Sequence, residues 1–158
     1  MKQEAEKTFA ERPGPEPRAS GNSDAPRSPR RPRIVLADDD GVILGLVRDL
    51  LSTDYDVVAQ VSDGEALVRS VVEHCPDFAV VDVSMPVKSG IQATREITKS
   101  CRSVKVIMLS VHDELAYVDA AFEAGARGYV LKFAAYSELI PAIRAVATDG
   151  RYLSSRLR

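Results

Sequence analysis

The 158-residue sequence has no tryptophan, only two cysteines, and nine phenylalanines and tyrosines in all. Cys75 and Cys101 have neither the spacing of metal ligands nor the density of a secreted disulfide scaffold, and they are expected as reduced packing thiols. No apolar run approaches the roughly 18 residues that span a bilayer. The first thirty residues also lack the apolar middle of a secretory signal, so a cytoplasmic protein without membrane contact is expected. Charge of one sign is lacking too: 21 Lys and Arg face 23 Asp and Glu, a net charge of -2. That balance excludes a chain organised as a whole around a nucleic-acid surface.

The balance conceals two parts. Residues 1–33 hold six of the nine prolines and eight Lys or Arg, with few apolar side chains. Such a segment buries too little apolar area to offset its ordering entropy. It is expected to be a disordered leader ending in the basic cluster Arg27, Arg30, Arg31 and Arg33. The remaining residues carry 13 Lys or Arg against 18 Asp or Glu and begin a different pattern.

From Ile34, short apolar runs alternate with stretches of helical period, the pattern of strand-helix units in a parallel sheet covered on both faces. Five strands are expected, at Ile34–Ala37, Val57–Val61, Phe78–Val81, Val104–Leu109 and Gly128–Leu131. Helices are expected around Val42–Leu51, after Ser62 with Glu65 completing a capping box, after Ser89, over Asp113–Ala124 and from Ser137. Gly64, Gly90 and Pro141 are placed near helix starts, and Gly125 and Gly150 at C-terminal caps. The fold class is α/β, one domain over residues 34–153, with 154–158 beginning a linker.

Polar residues at the carboxyl ends of parallel strands converge on one crevice. Strand one ends in Asp38, Asp39 and Asp40, strand three in Asp82, strand four in Ser110 and strand five in Lys132. Crowded carboxylates raise one another's pKa unless a cation neutralises them, and a hard divalent ion such as Mg2+ suits oxygen ligands. An ammonium and a hydroxyl beside such an ion fit phosphoryl transfer. Taken singly, each has a plainer role: Asp38 to Asp40 as caps of the first helix, the others as loop residues.

The stretches IVLADDD at 34–40, VVDVSMPVKSG at 80–90, VIMLSVHDE at 106–114 and AGARGYVLK at 124–132 resemble a response-regulator receiver domain of two-component signalling. With the closing GRYLS they resemble the NarL/FixJ (LuxR-type) subfamily. The resemblance implies a (βα)5 flavodoxin-like (CheY-like) three-layer sandwich with parallel sheet order 2-1-3-4-5. It implies that Asp82 accepts a phosphoryl group from a sensor histidine kinase. Asp38, Asp39, Asp82 and the Ser84 carbonyl would hold Mg2+, with Ser110 and Lys132 on the phosphate. It makes Tyr129 the aromatic switch. It further implies a changed surface around helix 4, strand 5 and helix 5, where a homodimer or an output module would attach. DNA binding would reside in a C-terminal helix-turn-helix domain outside these residues, and a receiver cut from a longer transcription regulator is expected. Ser84 and His112, two residues past Asp82 and Ser110, are expected to tune the phosphate lifetime.

The sequence departs from the pattern at Asp40, where the subfamily often has His, at Lys88, where an apolar residue is usual, and at Phe133, where many receivers have proline. Three rival readings stand beside it. A haloacid-dehalogenase-like phosphatase would use Asp38 and Asp40 of the Asp-x-Asp-Gly-Val run. A flavodoxin would need a phosphate cradle where three acids stand. A pseudo-receiver would bind partners without phosphorylation.

Overall fold

In the computed structural model, which describes residues 30–158, each apolar run becomes a strand whose side chains alternate between two cores. The order is β1 (Arg33–Ala37), α1 (Gly41–Leu51), β2 (Asp56–Val61), α2 (Gly64–His74), β3 (Phe78–Val81), α3 (Gly90–Ser100), β4 (Lys105–Ser110), α4 (Leu115–Glu123), β5 (Gly128–Leu131), α5 (Ala135–Ala147) and β6 (Tyr152–Leu153). The expected leader lies outside the described residues apart from its last four, and Arg33 already opens β1, its backbone N–H donating to Asp77 at 2.8 Å.

On one face of the sheet Val35, Val81, Met108, Tyr129 and Leu131 pack with Leu67, Ala93, Ile97 and Val118 from α2, α3 and α4. On the other, Leu36, Val80, Ile107 and Val130 pack with Leu51, Leu139 and Ile143 from α1 and α5. Burying each large aliphatic side chain contributes about 1.5–3 kcal/mol, so the period-two alternation of the central strands also sets which helix covers which face.

All strand pairs are parallel, in the order β2-β1-β3-β4-β5-β6. This is the expected 2-1-3-4-5 sheet with one strand added. Two residues cannot show a strand period, so β6 was not legible; Gly128 and Tyr129 pair with Tyr152 and Leu153. The segment expected to begin a linker is packed on the domain, with Ser154 fully buried and Ser155–Leu157 forming a 3-10 turn.

Four local expectations are corrected. The cap of α2 is Asp63, whose carboxylate accepts from Ala66 N–H at 2.7 Å, and not Ser62; Glu65 lies in the first turn and faces Arg69 at 3.6 Å. Helix α5 begins at Ala135, which puts Pro141 in its interior. A 3-10 turn over Lys132–Ala134 feeds the helix directly and moves its start forward. At the end of α5 the left-handed residue is Asp149 at φ 62°, while Gly150 is needed for its close approach to Ala145, to whose carbonyl its N–H donates at 3.0 Å. Cys75 is exposed as the left-handed cap of α2 rather than packed; both cysteines are free. Among the described residues no helix is long and apolar enough to cross a membrane.

Candidate functional site

The carboxyl ends of β1, β3, β4 and β5 bring Asp38, Asp82, Ser110 and Lys132 to one rim. Asp38 and Asp82 are buried, at 3% and 4% exposure, and Asp39 beside them is open to solvent. The ammonium of Lys132 lies 2.8 Å from Asp38 Oδ2 and 3.2 Å from Asp82 Oδ2. Carboxylate oxygens of Asp38, Asp39 and Asp82 lie within 4.8 Å of one another. Asp38 Oδ2 is buried and takes no directed hydrogen bond, only the ion pair with Lys132, while Oδ1 accepts from Asp40 N–H at 2.9 Å. An all-oxygen set with a spare buried lone pair fits a hard divalent cation such as Mg2+.

Asp40 goes elsewhere. Its carboxylate caps α1, accepting from Val42 N–H at 2.9 Å and Ile43 N–H at 3.4 Å. Of three consecutive acids, two enter the cluster and the third takes the capping role.

Burial pushes the Asp82 carboxyl above the usual aspartate range, and the neighbouring Asp38 charge adds to it. Lys132 and the Ser84 N–H pull the other way without prevailing. For Lys132, burial favours the neutral form, but its bonds and charges with Asp38 and Asp82 outweigh it and hold the ammonium above the ordinary lysine range. A raised carboxyl means that the unfolded chain ionises more readily, so Asp82 makes the fold less stable as pH rises from the ordinary aspartate value through the raised one. Asp82→Asn is therefore expected to raise the melting temperature in metal-free buffer at neutral pH, while Mg2+ raises that of the wild type more than that of the variant. A variant that melts lower without metal would contradict the crowding.

Backbone contacts hold Asp82 in place. Its N–H donates to Ala37 at 2.9 Å, and Gly90 N–H donates to Val83 at 2.8 Å. A Cβ on Gly90 would stand 1.9 Å from the Asp82 carbonyl oxygen, so only glycine lets α3 begin there. Sequence reading assigned Gly90 to a helix start without that contact. In the same loop Val87 holds φ 68°, which a β-branched residue rarely adopts. Lys88, unusual for its position, pairs with Glu96 at 2.6 Å, and its carbonyl lies where a Cβ on Gly64 would be. Phe133 follows Lys132 exposed, and no cis peptide occurs among the described residues.

The second half of the site centres on His112. Its Nε2 and the Ser84 hydroxyl are 2.8 Å apart, bridging the loops after β3 and β4. The ring stacks on Tyr117 of α4 at 4.1 Å, a partner that sequence reading missed. The His112 N–H donates to Ser110 Oγ at 3.0 Å, and its carbonyl accepts from Tyr129 OH at 2.8 Å. Ser110 and Tyr129 are fully buried, and burial pushes the Tyr129 phenol up.

Beside this geometry, the model of the response regulator receiver domain family matches residues 34–144. The chain belongs to that family. The receiver is 35% identical over 127 residues to the transcriptional regulatory protein DegU of Brevibacillus brevis, covering 79% of this chain and 54% of that protein. It is 37% identical over 124 residues to the response regulator UvrY of Escherichia coli, covering 77% and 57%. The chain thus spans little more than half the length of these relatives. Among solved structures, a LuxR-family two-component response regulator from Aurantimonas superposes with TM-score 0.76 at 34% identity, covering 80% of this chain and 91% of that one. The signal receiver domain of the response regulator NarL from Mycobacterium tuberculosis superposes with TM-score 0.73 at 31% identity, covering 76% and 98%. The relatives are LuxR-type regulators, and membership in the receiver family removes the phosphatase and flavodoxin readings.

Proposed function

We propose that this receiver takes a phosphoryl group on Asp82 from a phosphohistidine of a sensor histidine kinase and transmits the change to a transcriptional output domain. One observation carries the reading: a buried carboxylate at the end of β3 lies 3.2 Å from a largely buried lysine ammonium and within 4.8 Å of two further carboxylates, all oxygen donors. In the transfer, an Asp82 oxygen forms a bond to phosphorus as the phosphorus–nitrogen bond breaks, and the electron pair leaves on the imidazole, which takes a proton. Asp38, Asp39, Asp82 and the Ser84 carbonyl would hold Mg2+. When bound, the ion offsets carboxylate repulsion and the charge gathering on the phosphoryl oxygens. Lys132 then pairs with one phosphate oxygen and Ser110 donates its hydroxyl to another. The chain catalyses only its own phosphorylation and dephosphorylation, and its place is the cytoplasm, where such a kinase presents its phosphohistidine.

The kinase approaches over a groove of about 520 Å3 whose lining includes Ile43, Leu46, Leu50, Phe133, Tyr136 and Lys132 itself. Leu46, Phe133 and Tyr136 are exposed there, and a partner delivering its histidine to Asp82 would cover them. Tyr129 acts as the switch because its hydroxyl is anchored on the loop that Ser110 leaves on turning to the phosphate. The surface around α4, β5 and α5 would then change and serve a homodimer or output module; β6 lies on the free edge of β5, so a second copy meets α4, β6 and α5. DNA contact would belong to a C-terminal domain like those of LuxR-type regulators.

Incubation with Mg2+ and acetyl phosphate, followed by mapping of the acyl phosphate, tests the reading. The adduct is expected on Asp82 and only with Mg2+. A label on another residue overturns it, and no label supports the pseudo-receiver. The Ser84–His112 bridge joins the loops that follow Asp82 and Ser110, so His112→Ala is expected to shorten the adduct's half-life about tenfold, as loss of one hydrogen bond and a stacked ring allows. An unchanged half-life removes His112 from the tuning role.

A further inference from the structure

Among the described residues, phosphoryl transfer leaves one buried acid unused. Glu138 in the first turn of α5 is 8% exposed, and every bond it makes points at the segment after β6. Its carboxylate accepts from the Ser154 hydroxyl, from Ser155 N–H at 2.9 Å and from Ser155 Oγ at 2.5 Å. Ser154 in turn brackets the switch residue: its N–H donates to the Tyr129 carbonyl at 2.8 Å, and its Oγ accepts from Leu131 N–H at 3.3 Å. Leu153 and Leu157 pack against the core layer that contains Tyr129. Arg156 lies over Phe133 at 5.4 Å, next to Lys132.

We propose that residues 152–158 form a strap, clipped by Glu138, whose hold on β5 is loosened by phosphorylation of Asp82. This rests on the phosphoacceptor reading and names its output route. The path is a chain of direct contacts. The Tyr129 hydroxyl hangs on the His112 carbonyl, and the His112 N–H hangs on Ser110 Oγ. When Ser110 turns to the phosphate, the His112 loop loses that tether and the Tyr129 ring shifts. The layer beneath Leu153 and Leu157 is then repacked, and Ser154 is the backbone link that feels it. Glu138 is a positioning residue, because it holds Ser154 and touches nothing at the phosphate. Anything that follows Arg158 is joined to the domain through this strap.

Amide hydrogen exchange on the whole chain, with the Asp82 adduct followed by intact mass, tests it. In the wild type, acetyl phosphate with Mg2+ is expected to speed exchange at Leu131, Ser154 and Ser155 about tenfold. Glu138→Gln is expected to speed the same amides about tenfold without phosphate, to leave Asp82 phosphorylation intact and to shrink the further phosphate-dependent change. Ser155→Ala, which removes one Glu138 contact at the surface, gives a smaller shift in the same direction. An adduct on Asp82 with unchanged or slower exchange in the strap overturns the strap alone. Failure of any adduct to form overturns the phosphoacceptor reading and the strap's control with it.

Discussion

Lys132→Met is expected to destabilise the receiver by about 3–5 kcal/mol in metal-free buffer at neutral pH, the cost of breaking a buried ion pair from one side. The Lys132 side chain is 15% exposed, and its ammonium lies 2.8 Å from Asp38 and 3.2 Å from Asp82, whose side chains are nearly as buried as the core. Methionine keeps the length and apolar stem but leaves two buried carboxylates facing each other. The loss shrinks as pH falls and the acids take up protons. On the alkaline side, the Lys132 contribution in the wild type is fully present at neutral pH and is lost as pH rises through the raised lysine value, because the folded state holds that proton more tightly. Mg2+ is expected to restore part of the variant's stability by replacing one cation with another among the same oxygens. Urea unfolding with and without Mg2+ measures both. A variant as stable as the wild type without metal would mean that the ammonium does not hold the carboxylates.

Gly90→Ala is the second large effect, and it acts through sterics rather than charge. The added Cβ would stand 1.9 Å from the Asp82 carbonyl oxygen, 2.8 Å from its carbon and 2.9 Å from Val81 Cγ1. Two of those neighbours are backbone, and Gly90 N–H is bonded to Val83, so the loop cannot yield cheaply. The expected cost is about 3 kcal/mol, the upper part of the range for overpacking a close contact. Displacing Asp82 by about an ångström should also slow phosphorylation about 100-fold. Gly45→Ala in α1 is the control: nothing lies within 4 Å of its Cβ, and a helix interior gains about 0.5–1 kcal/mol from alanine. Thermal melts and the rate of adduct formation separate the two. A Gly90 variant that behaves like the Gly45 variant would show that α3 does not press on the acceptor.

Much of this site was legible beforehand because parallel strands deliver residues by a simple rule. An apolar run of four to six residues must end where the chain turns, and the first polar side chain there is handed to the crevice. Asp38, Asp82, Ser110 and Lys132 could each be placed that way, and the structure brings Asp38, Asp82 and Lys132 into direct contact. The rule fails where two explanations share one residue type. Three consecutive acids all fit either a cap or a ligand, and only the path of the backbone into α1 sends Asp40 to the helix. Similarly, Ser62 and Asp63 both make good caps, and the turn after β2 decides for Asp63.

The alternation of apolar and amphipathic segments by itself determined the layer order, the strand ends and which polar residues stand on the rim, because those follow from local period and chain reversal. What only the tertiary structure decided are contacts between distant parts of the chain: Ser84 with His112, His112 with Tyr117, Gly90 beneath Asp82, and Glu138 on Ser154. Such pairs leave no trace in local spacing. A hydrogen bond or a close approach depends on a few tenths of an ångström between elements, and that separation is set by how two helices and a sheet pack together.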